Sequence, residues 1–236
     1  MNIINSLSII IPLYNDLYNV NKIIDQTLSL LKKIKIQYEI ILIDDLCPQQ
    51  SGKLAFEYCK NLKNIKVIFN NNNLGYGGAI KKGIINAKNK WLFIVDGDGQ
   101  YDVSNLLKLL KKARKNNLVI TYRKPNSNNF IRIFISFFYT LLLNFLFKTK
   151  VKDFSSGCRL INKKIFNQFK INTNGPFFGA ELILKAKSYN FSIKEVPIKH
   201  KLREGGDGSI MNFKNIFKTL KEIFSLYQYI NTKNKT

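Results

Sequence analysis

Asp96, Gly97, Asp98, Gly99 and Gln100 follow directly on the apolar run from Trp91 to Val95. Two carboxylates two residues apart, with glycine between them, repel each other unless a cation lies between them. Hard divalent ions such as Mg²⁺ or Mn²⁺ take oxygen ligands and usually share them with substrate phosphates. Gln100 adds a neutral oxygen at the same spacing. Asp96, Asp98 and Gln100 are therefore the candidate metal ligands, beside a phosphate-bearing substrate. A second acidic pair, Asp44 and Asp45, closes another apolar run, and Tyr14 and Asn15 close a third. Gly75, Gly77 and Gly78 allow backbone amides to approach a phosphate, or equally a tight turn that lets a helix pack on a sheet.

The elements that must position these groups alternate along the chain. Strands are expected at Leu7–Pro12, Glu39–Asp44, Ile65–Phe69, Trp91–Asp96 and Leu118–Thr121. Helices are expected between them at Val20–Lys33, Ser51–Lys60, Gly78–Ala87 and Ser104–Asn116. Alternation of this kind predicts an α/β fold: a mostly parallel, Rossmann-like sheet flanked by helices. Ligands then bind beyond the carboxyl ends of the strands, where the three polar pairs fall. The second half continues with a helix at Phe130–Phe147, a strand near Cys158–Asn162, a helix at Gly179–Tyr189 and a strand at Ser192–Pro197. A Gly-rich loop, Glu204–Gly208, leads into an amphipathic C-terminal helix at Asn212–Ile230. The Phe130–Phe147 helix is apolar apart from Arg132, Ser136, Thr140 and Asn144, which recur every four residues and form one polar stripe. The last helix sets Phe213, Ile216, Phe217, Leu220, Ile223, Phe224, Tyr227 and Ile230 on one side, away from Lys214, Lys218 and Lys221. The expectation is a single domain over 1–236, divided into 1–122, 123–210 and the terminal helix at 211–230.

The chain has 236 residues, 38 basic against 15 acidic, and a formal charge of +23. Five of the basic residues are arginine and the rest lysine, part of a Lys-, Asn- and Ile-rich composition of the kind that AT-rich coding sequence produces. Whatever its origin, such a charge attracts polyanions: nucleic acid, anionic lipid or phosphorylated substrates. The lysines are dispersed, with no aromatic-interleaved basic run, so nucleic acid is not the expected partner. Hydrophobic content of 45% excludes a disordered chain. Cys47, Cys59 and Cys158 are too few and too scattered for a disulfide framework or a zinc site. The apolar run at Leu7–Leu13 has strand length, so the N-terminus reads as neither signal peptide nor membrane anchor.

These motifs, in this order, resemble family 2 glycosyltransferases of the GT-A fold, close to the dolichyl- or polyprenyl-phosphate sugar transferases. The resemblance rests on Ser8–Pro12 with Tyr14-Asn15, Ile41–Asp45, Asn73-Leu-Gly75-Tyr-Gly77-Gly78-Ala79, Asp96-Gly-Asp98-Gly-Gln100, Asp153-x-x-Ser156-Gly157-Cys-Arg159, and Glu195-Val-Pro197 with Arg203. It implies that Pro12, Tyr14 and Asn15 shape a nucleoside pocket and that Asp44 accepts hydrogen bonds from the base. Asp96 would reach the ribose or the metal, Asp98 and Gln100 would hold Mg²⁺ or Mn²⁺ on a UDP- or GDP-sugar, and Arg123 and Arg203 would clamp phosphate oxygens. Three features depart from the family pattern. The Arg203 loop is longer and more Gly-rich than the compact form of the dolichyl-phosphate mannosyl transferases, which counts against mannose. The acid that commonly follows the second carboxylate motif is missing from Leu46–Ser51, and Asp16 stands where glutamate is frequent.

The resemblance further implies inversion by a single in-line displacement. With a sugar hydroxyl as acceptor, Glu181 or Asp153 is the candidate base. With a lipid phosphate the nucleophile is already anionic and these acids only orient groups. The lone histidine, His200, reads as a lining or structural residue, not as a base. The two greasy helices favour a polyprenyl-phosphate acceptor and peripheral attachment at the cytoplasmic face of a membrane. Burial of the same faces in the core, in a homodimer or against a membrane partner is the alternative. An acceptor in a cell-envelope glycan, or a non-catalytic basic binding protein, are the competing functions.

Overall fold

The structure is a computed structural model that describes residues 4–123, 130–199, 201 and 213–233, with side chains from 134 in the fifth helix and from 216 in the last. His200, Arg203 and the Glu204–Gly208 loop lie outside the described residues, as do the side chains of Arg132 and Lys214.

One seven-stranded sheet runs through the molecule. Its strands are β1 (Ser6–Leu13), β2 (Gln37–Asp44), β3 (Ile65–Phe69), β4 (Trp91–Ile94), β5 (Leu118–Arg123), β6 (Arg159–Asn162) and β7 (Ile193–Ile198), in the order β3-β2-β1-β4-β6-β5-β7. Only β6 runs antiparallel to its neighbours, β4 and β5. The α/β architecture expected from the alternating pattern is the one observed. The central strands are buried on both faces and read as unbroken apolar runs, as parallel sheets require.

Helices cover both faces. On one side Ile9, Ile11, Ile40 and Leu42 meet α1 (Val20–Ile34), α2 (Ser51–Cys59) and α4 (Asn105–Ala113). On the other, Ile10, Ile41, Ile43, Leu92 and Ile94 meet α3 (Tyr76–Asn86), α5 (Phe130–Leu146), α6 (Phe178–Ser188) and α7 (Phe213–Lys233). The period-2 alternation of each strand thus feeds two separate cores.

Two boundaries matter for the site. β4 stops at Ile94, so Asp96 and Asp98 lie in the loop beyond it, not on the strand end. α3 starts at Tyr76 rather than Gly78, because Gly75 turns the chain with φ of 78°, a region open to glycine.

The two greasy helices differ from each other: α5 leaves most of its apolar face exposed, whereas α7 buries part of its own. From Ser136 on, the polar stripe of α5 points into the protein. Asn144 takes the N–H of Val151 at 2.9 Å and gives its own amide to the Val151 carbonyl at 2.8 Å. Ser136 lies 3.4 Å from the Arg123 guanidinium. Phe134, Phe137, Phe138, Leu141 and Phe145 face outward, Phe145 being 80% exposed. α7 has two apolar faces. Ile223, Leu226 and Ile230 are buried in the second core, whereas Phe217, Leu220 and Phe224 are exposed. The tail of α7 is fastened to α6 by a Tyr189–Tyr229 hydroxyl contact of 2.8 Å and by the Lys233 ammonium 4.0 Å over the Tyr189 ring.

Candidate active site

The carboxyl ends of β1, β2 and β4 converge, and the loops that leave them hold one another. Gly97 packs so tightly on the first turn that an added Cβ would stand 2.9 Å from the Pro12 carbonyl and 3.2 Å from the Asp16 carboxylate. Asp16 is buried and accepts the Tyr14 N–H at 2.9 Å. Its own N–H donates to Ser51 Oγ at 3.2 Å. Asn15 takes the left-handed conformation, φ 59°, with its N–H on Cys47 Sγ. The structure therefore brings Pro12, Tyr14 and Asn15 beside the Asp96–Asp98 loop, and Tyr14 is left 46% exposed at its lip.

Asp44 sits at the same place but is turned to its own chain. Its oxygens accept the N–H of Cys47 at 2.8 Å and of Gly52 at 2.7 Å, which closes the loop onto the start of α2. The expectation that this carboxylate faces a nucleobase is corrected to that extent: two backbone amides already occupy it. Asp45 does similar work, accepting Asn70 Nδ2 and the N–H groups of Leu74 and Gly75, each at 2.8 Å.

Asp96 and Asp98 are both partly buried. Asp98 Oδ1 accepts the Gln100 N–H at 3.0 Å, folding the loop into a tight turn with Gly99 at φ 73°. Asp96 Oδ1 accepts the Tyr76 hydroxyl at 2.8 Å. Its Oδ2 lies over the bare Cα of Gly157, where a Cβ would be 1.7 Å away. Burial, and then the neighbouring Asp98 charge, push Asp96 up to about 6, against the Tyr76 hydrogen bond and the Arg159 and Arg123 charges. A divalent cation would relieve the Asp98 part of that shift. Two carboxylates and the amide of Gln100, which is buried and donates to the Lys201 carbonyl at 3.3 Å, fit a hard cation that takes its remaining oxygens from phosphate and water. Among the described residues no group of three or more His, Cys, Asp or Glu side chains is gathered to hold a metal without such help.

The acceptor-side candidates are differently placed. Asp153 and Arg123 are brought together, with Arg123 Nε 2.8 Å from Asp153 Oδ2 and Nη2 3.1 Å from Oδ1, a fork-on-fork pair. Arg123 thus spends two of its donors on this carboxylate. Glu181 is 3% exposed. It accepts the N–H of Asn172 at 2.9 Å and of Thr173 at 2.8 Å, and pairs with Lys185 at 2.7 Å. Its expected availability as a base is corrected: the carboxylate is enclosed and bound to loop amides and an ammonium. The glycines at the start of α3 pack against the 173–175 segment. The Gly78 N–H donates to the Asn174 carbonyl at 3.1 Å, and a Cβ on Gly77 would meet the Thr173 carbonyl at 2.9 Å.

Three contributors carried no role in the sequence reading. Tyr76 holds Asp96, and its place within a glycine run was the available signal. Tyr101 accepts the Gly157 N–H at 3.0 Å and so seats the glycine behind Asp96. Arg159 is 2% exposed, with Nη2 on the Phe154 carbonyl at 3.3 Å and, among the described residues, no hydrogen-bond partner for Nε or Nη1. It supplies buried positive charge near Asp96.

The comparisons with known proteins bear on the family and the fold. The chain is 27% identical over 213 residues to the dolichyl-phosphate beta-glucosyltransferase of Dictyostelium discoideum, covering 81% of this chain and 65% of that protein. It is 26% identical to the human protein of that description, over 84% of this chain and 68% of the other. The chain thus spans about two thirds of the length of these curated relatives. Among solved structures, mannosyl-3-phosphoglycerate synthase from Rubrobacter xylanophilus superposes with a TM-score of 0.75 at 11% identity, over 98% of this chain and 75% of that one. Glucosyl-3-phosphoglycerate synthase from Mycobacterium tuberculosis, in complex with Mn²⁺, UDP-glucose and phosphoglyceric acid, gives 0.71 at 12% identity, over 96% and 79%. The family model described as glycosyl transferase family 2 matches residues 8–169, from β1 through the acidic loop to the segment behind it, and the chain belongs to that family.

Proposed function

We propose that the protein transfers a sugar, glucose in the first instance, from a UDP-sugar to an acceptor, with inversion at the anomeric carbon. The observation that carries this reading is the mutually repelling Asp96–Asp98 pair, held beyond the carboxyl end of a parallel strand. The names of the curated relatives, and the Mn²⁺ and UDP-glucose bound by a fold neighbour, support it. Asp98, with Asp96 and Gln100, would hold Mn²⁺ or Mg²⁺ on the donor diphosphate, where the ion supplies charge neutralisation for the departing UDP. Pro12, Tyr14 and Asn15 wall the nucleoside end, and Asp44 braces that wall from behind. The acceptor oxygen attacks the anomeric carbon as the bond to the β-phosphate oxygen breaks, and the electron pair of that bond leaves on UDP. Residues 1–122 would then form the donor half and 123–210 the acceptor side of one domain, with 211–230 as its terminal helix.

For the acceptor we propose a polyprenyl phosphate, met by a protein bound peripherally at the cytoplasmic face of a membrane. Two observations support this. Both candidate bases, Glu181 and Asp153, are committed to other groups, which suits a nucleophile that needs no deprotonation. The outward face of α5 offers contiguous aromatic surface to a lipid interface, and no described helix is long and apolar enough to cross a membrane. A hydroxyl acceptor is the second reading, favoured by the phosphoglyceric acid bound in the fold neighbour. Radiolabelled UDP-glucose with Mn²⁺, offered to polyprenyl phosphate in detergent and separately to hydroxyl acceptors, tests both. Label in the lipid phase supports the first reading, label in a soluble product the second, and UDP-glucose turnover with neither defeats sugar transfer.

A further inference from the structure

We propose that Tyr76 is a positioning residue for the cation site, fixing the Asp96 carboxylate from a seat built by the acceptor-side segment 171–175. This rests on the reading of Asp96 and Asp98 as cation ligands and adds a residue and a coupling to it.

The hydrogen bond from Tyr76 to Asp96 Oδ1 is 2.8 Å long. With Oδ1 held by Tyr76 and Oδ2 backed by Gly157, the carboxylate is clamped on two sides. Tyr76 itself is fixed from three directions. Its ring stands edge-on to Phe178 of α6, with centroids 6.5 Å apart at 80°. The residue before it, Gly75, has its N–H on Asp45 Oδ2 at 2.8 Å. The turn after it rests on the 171–175 segment: the Gly78 N–H meets the Asn174 carbonyl, and the Lys81 ammonium reaches the Ile171 and Asn172 carbonyls at 3.3 and 3.1 Å. That segment is held in turn by Glu181 through the N–H groups of Asn172 and Thr173.

A continuous set of short contacts therefore joins Glu181 on α6 to Asp96 beyond β4. Partners that orient a metal ligand are worth about 10- to 100-fold in metal affinity. Tyr76 has the geometry of such a partner, and Glu181 and Lys81 fix its seat without touching the acidic pair.

The test is Mn²⁺ titration at saturating UDP, read from the electron paramagnetic resonance signal of free Mn²⁺, on wild type and Tyr76→Phe. The phenylalanine keeps the ring contact with Phe178 and removes only the donor. We expect Mn²⁺ to bind about tenfold more weakly to the variant. We also expect its turnover at limiting Mn²⁺ to recover when Mn²⁺ is raised, a rescue that a packing defect would not show. Unchanged Mn²⁺ affinity in folded Tyr76→Phe overturns the proposal and leaves the cation reading standing. A wild type that does not bind Mn²⁺ with UDP overturns both. Should the variant not fold, Lys81→Met decides: a several-fold loss of Mn²⁺ affinity supports the coupling, and no loss overturns it.

Discussion

Glu181 and Lys185 form an ion pair of 2.7 Å in which each side chain is only 3% exposed. The Lys185 ammonium also donates to the Lys170 carbonyl at 2.7 Å, so the pair ties residues 170–173 of the loop preceding α6 to that helix. Burial alone would raise the Glu181 carboxyl. The Asn172 N–H, the Lys185 ammonium and the Thr173 N–H together outweigh burial and hold it below its ordinary value of 4.5.

Glu181→Gln should therefore destabilise the fold, by about 3 kcal/mol at neutral pH, because it leaves a buried ammonium without its partner. The sign of the pH dependence follows from the lowered carboxyl. Between the folded and the ordinary value the unfolded chain binds more protons, so the stabilisation is full above pH 4.5 and fades as pH falls through the folded value. Urea unfolding of wild type and variant at pH 7 and below pH 4 should show the gap narrowing in acid. An equal gap at both would remove the ionised carboxylate from the account. With a lipid-phosphate acceptor, the variant should also keep a sizeable share of its rate, whereas loss of a true general base costs about 10²-fold or more.

Asp98→Ala should abolish the Mn²⁺-dependent part of UDP binding while leaving a cooperative unfolding transition. Isothermal titration with UDP, with and without Mn²⁺, measures this. The variant's melting temperature should no longer rise on adding UDP and Mn²⁺ together. Full Mn²⁺-dependent binding in the variant would place the cation elsewhere.

Gly157→Ala should fold and fail in catalysis. The new Cβ would stand 1.7 Å from Asp96 Oδ2, and the carboxylate can swing away only by leaving Tyr76. Misplacement on the ångström scale costs about 10²-fold in rate. The check is kcat at saturating donor and Mn²⁺, beside a melting curve that shows the fold is kept.

The outward apolar face of α5 should bind anionic vesicles at low salt. Replacing Phe137 and Phe145 together by serine removes two exposed rings, each worth about 1.5–3 kcal/mol when buried, and should release most of the protein. Changing Lys218 and Lys221 to glutamine should weaken binding by about 2 kcal/mol at most and should matter only at low ionic strength. Co-sedimentation across a salt series measures both. A protein that stays in the supernatant but forms a dimer that the Phe137/Phe145 variant loses would assign this face to a second copy.

The alternating sheet, its parallel sense and the loops that carry the acidic pair follow from local properties of the sequence. Strand periodicity, β-branched runs and the Asp-Gly-Asp-Gly-Gln spacing are all readable over a few residues. What the side chains in those loops do is not local. Whether Asp44 meets a ligand or the Cys47 and Gly52 amides depends on how the chain turns into α2. Whether Glu181 is a base or a brace depends on a loop that returns to it from Asn172. The same limit applies to the greasy helices. Periodicity correctly separated the polar stripe of α5 from its apolar faces, but a helical wheel has no inside or outside. Only the packing of Asn144 onto Val151 turned the stripe inward and left the phenylalanines exposed, and only the docking of Ile223, Leu226 and Ile230 gave α7 a buried face of its own. Sequence spacing determined which residues share a face. The tertiary structure decided which face the rest of the protein covers, because burial depends on contacts between segments far apart in the chain.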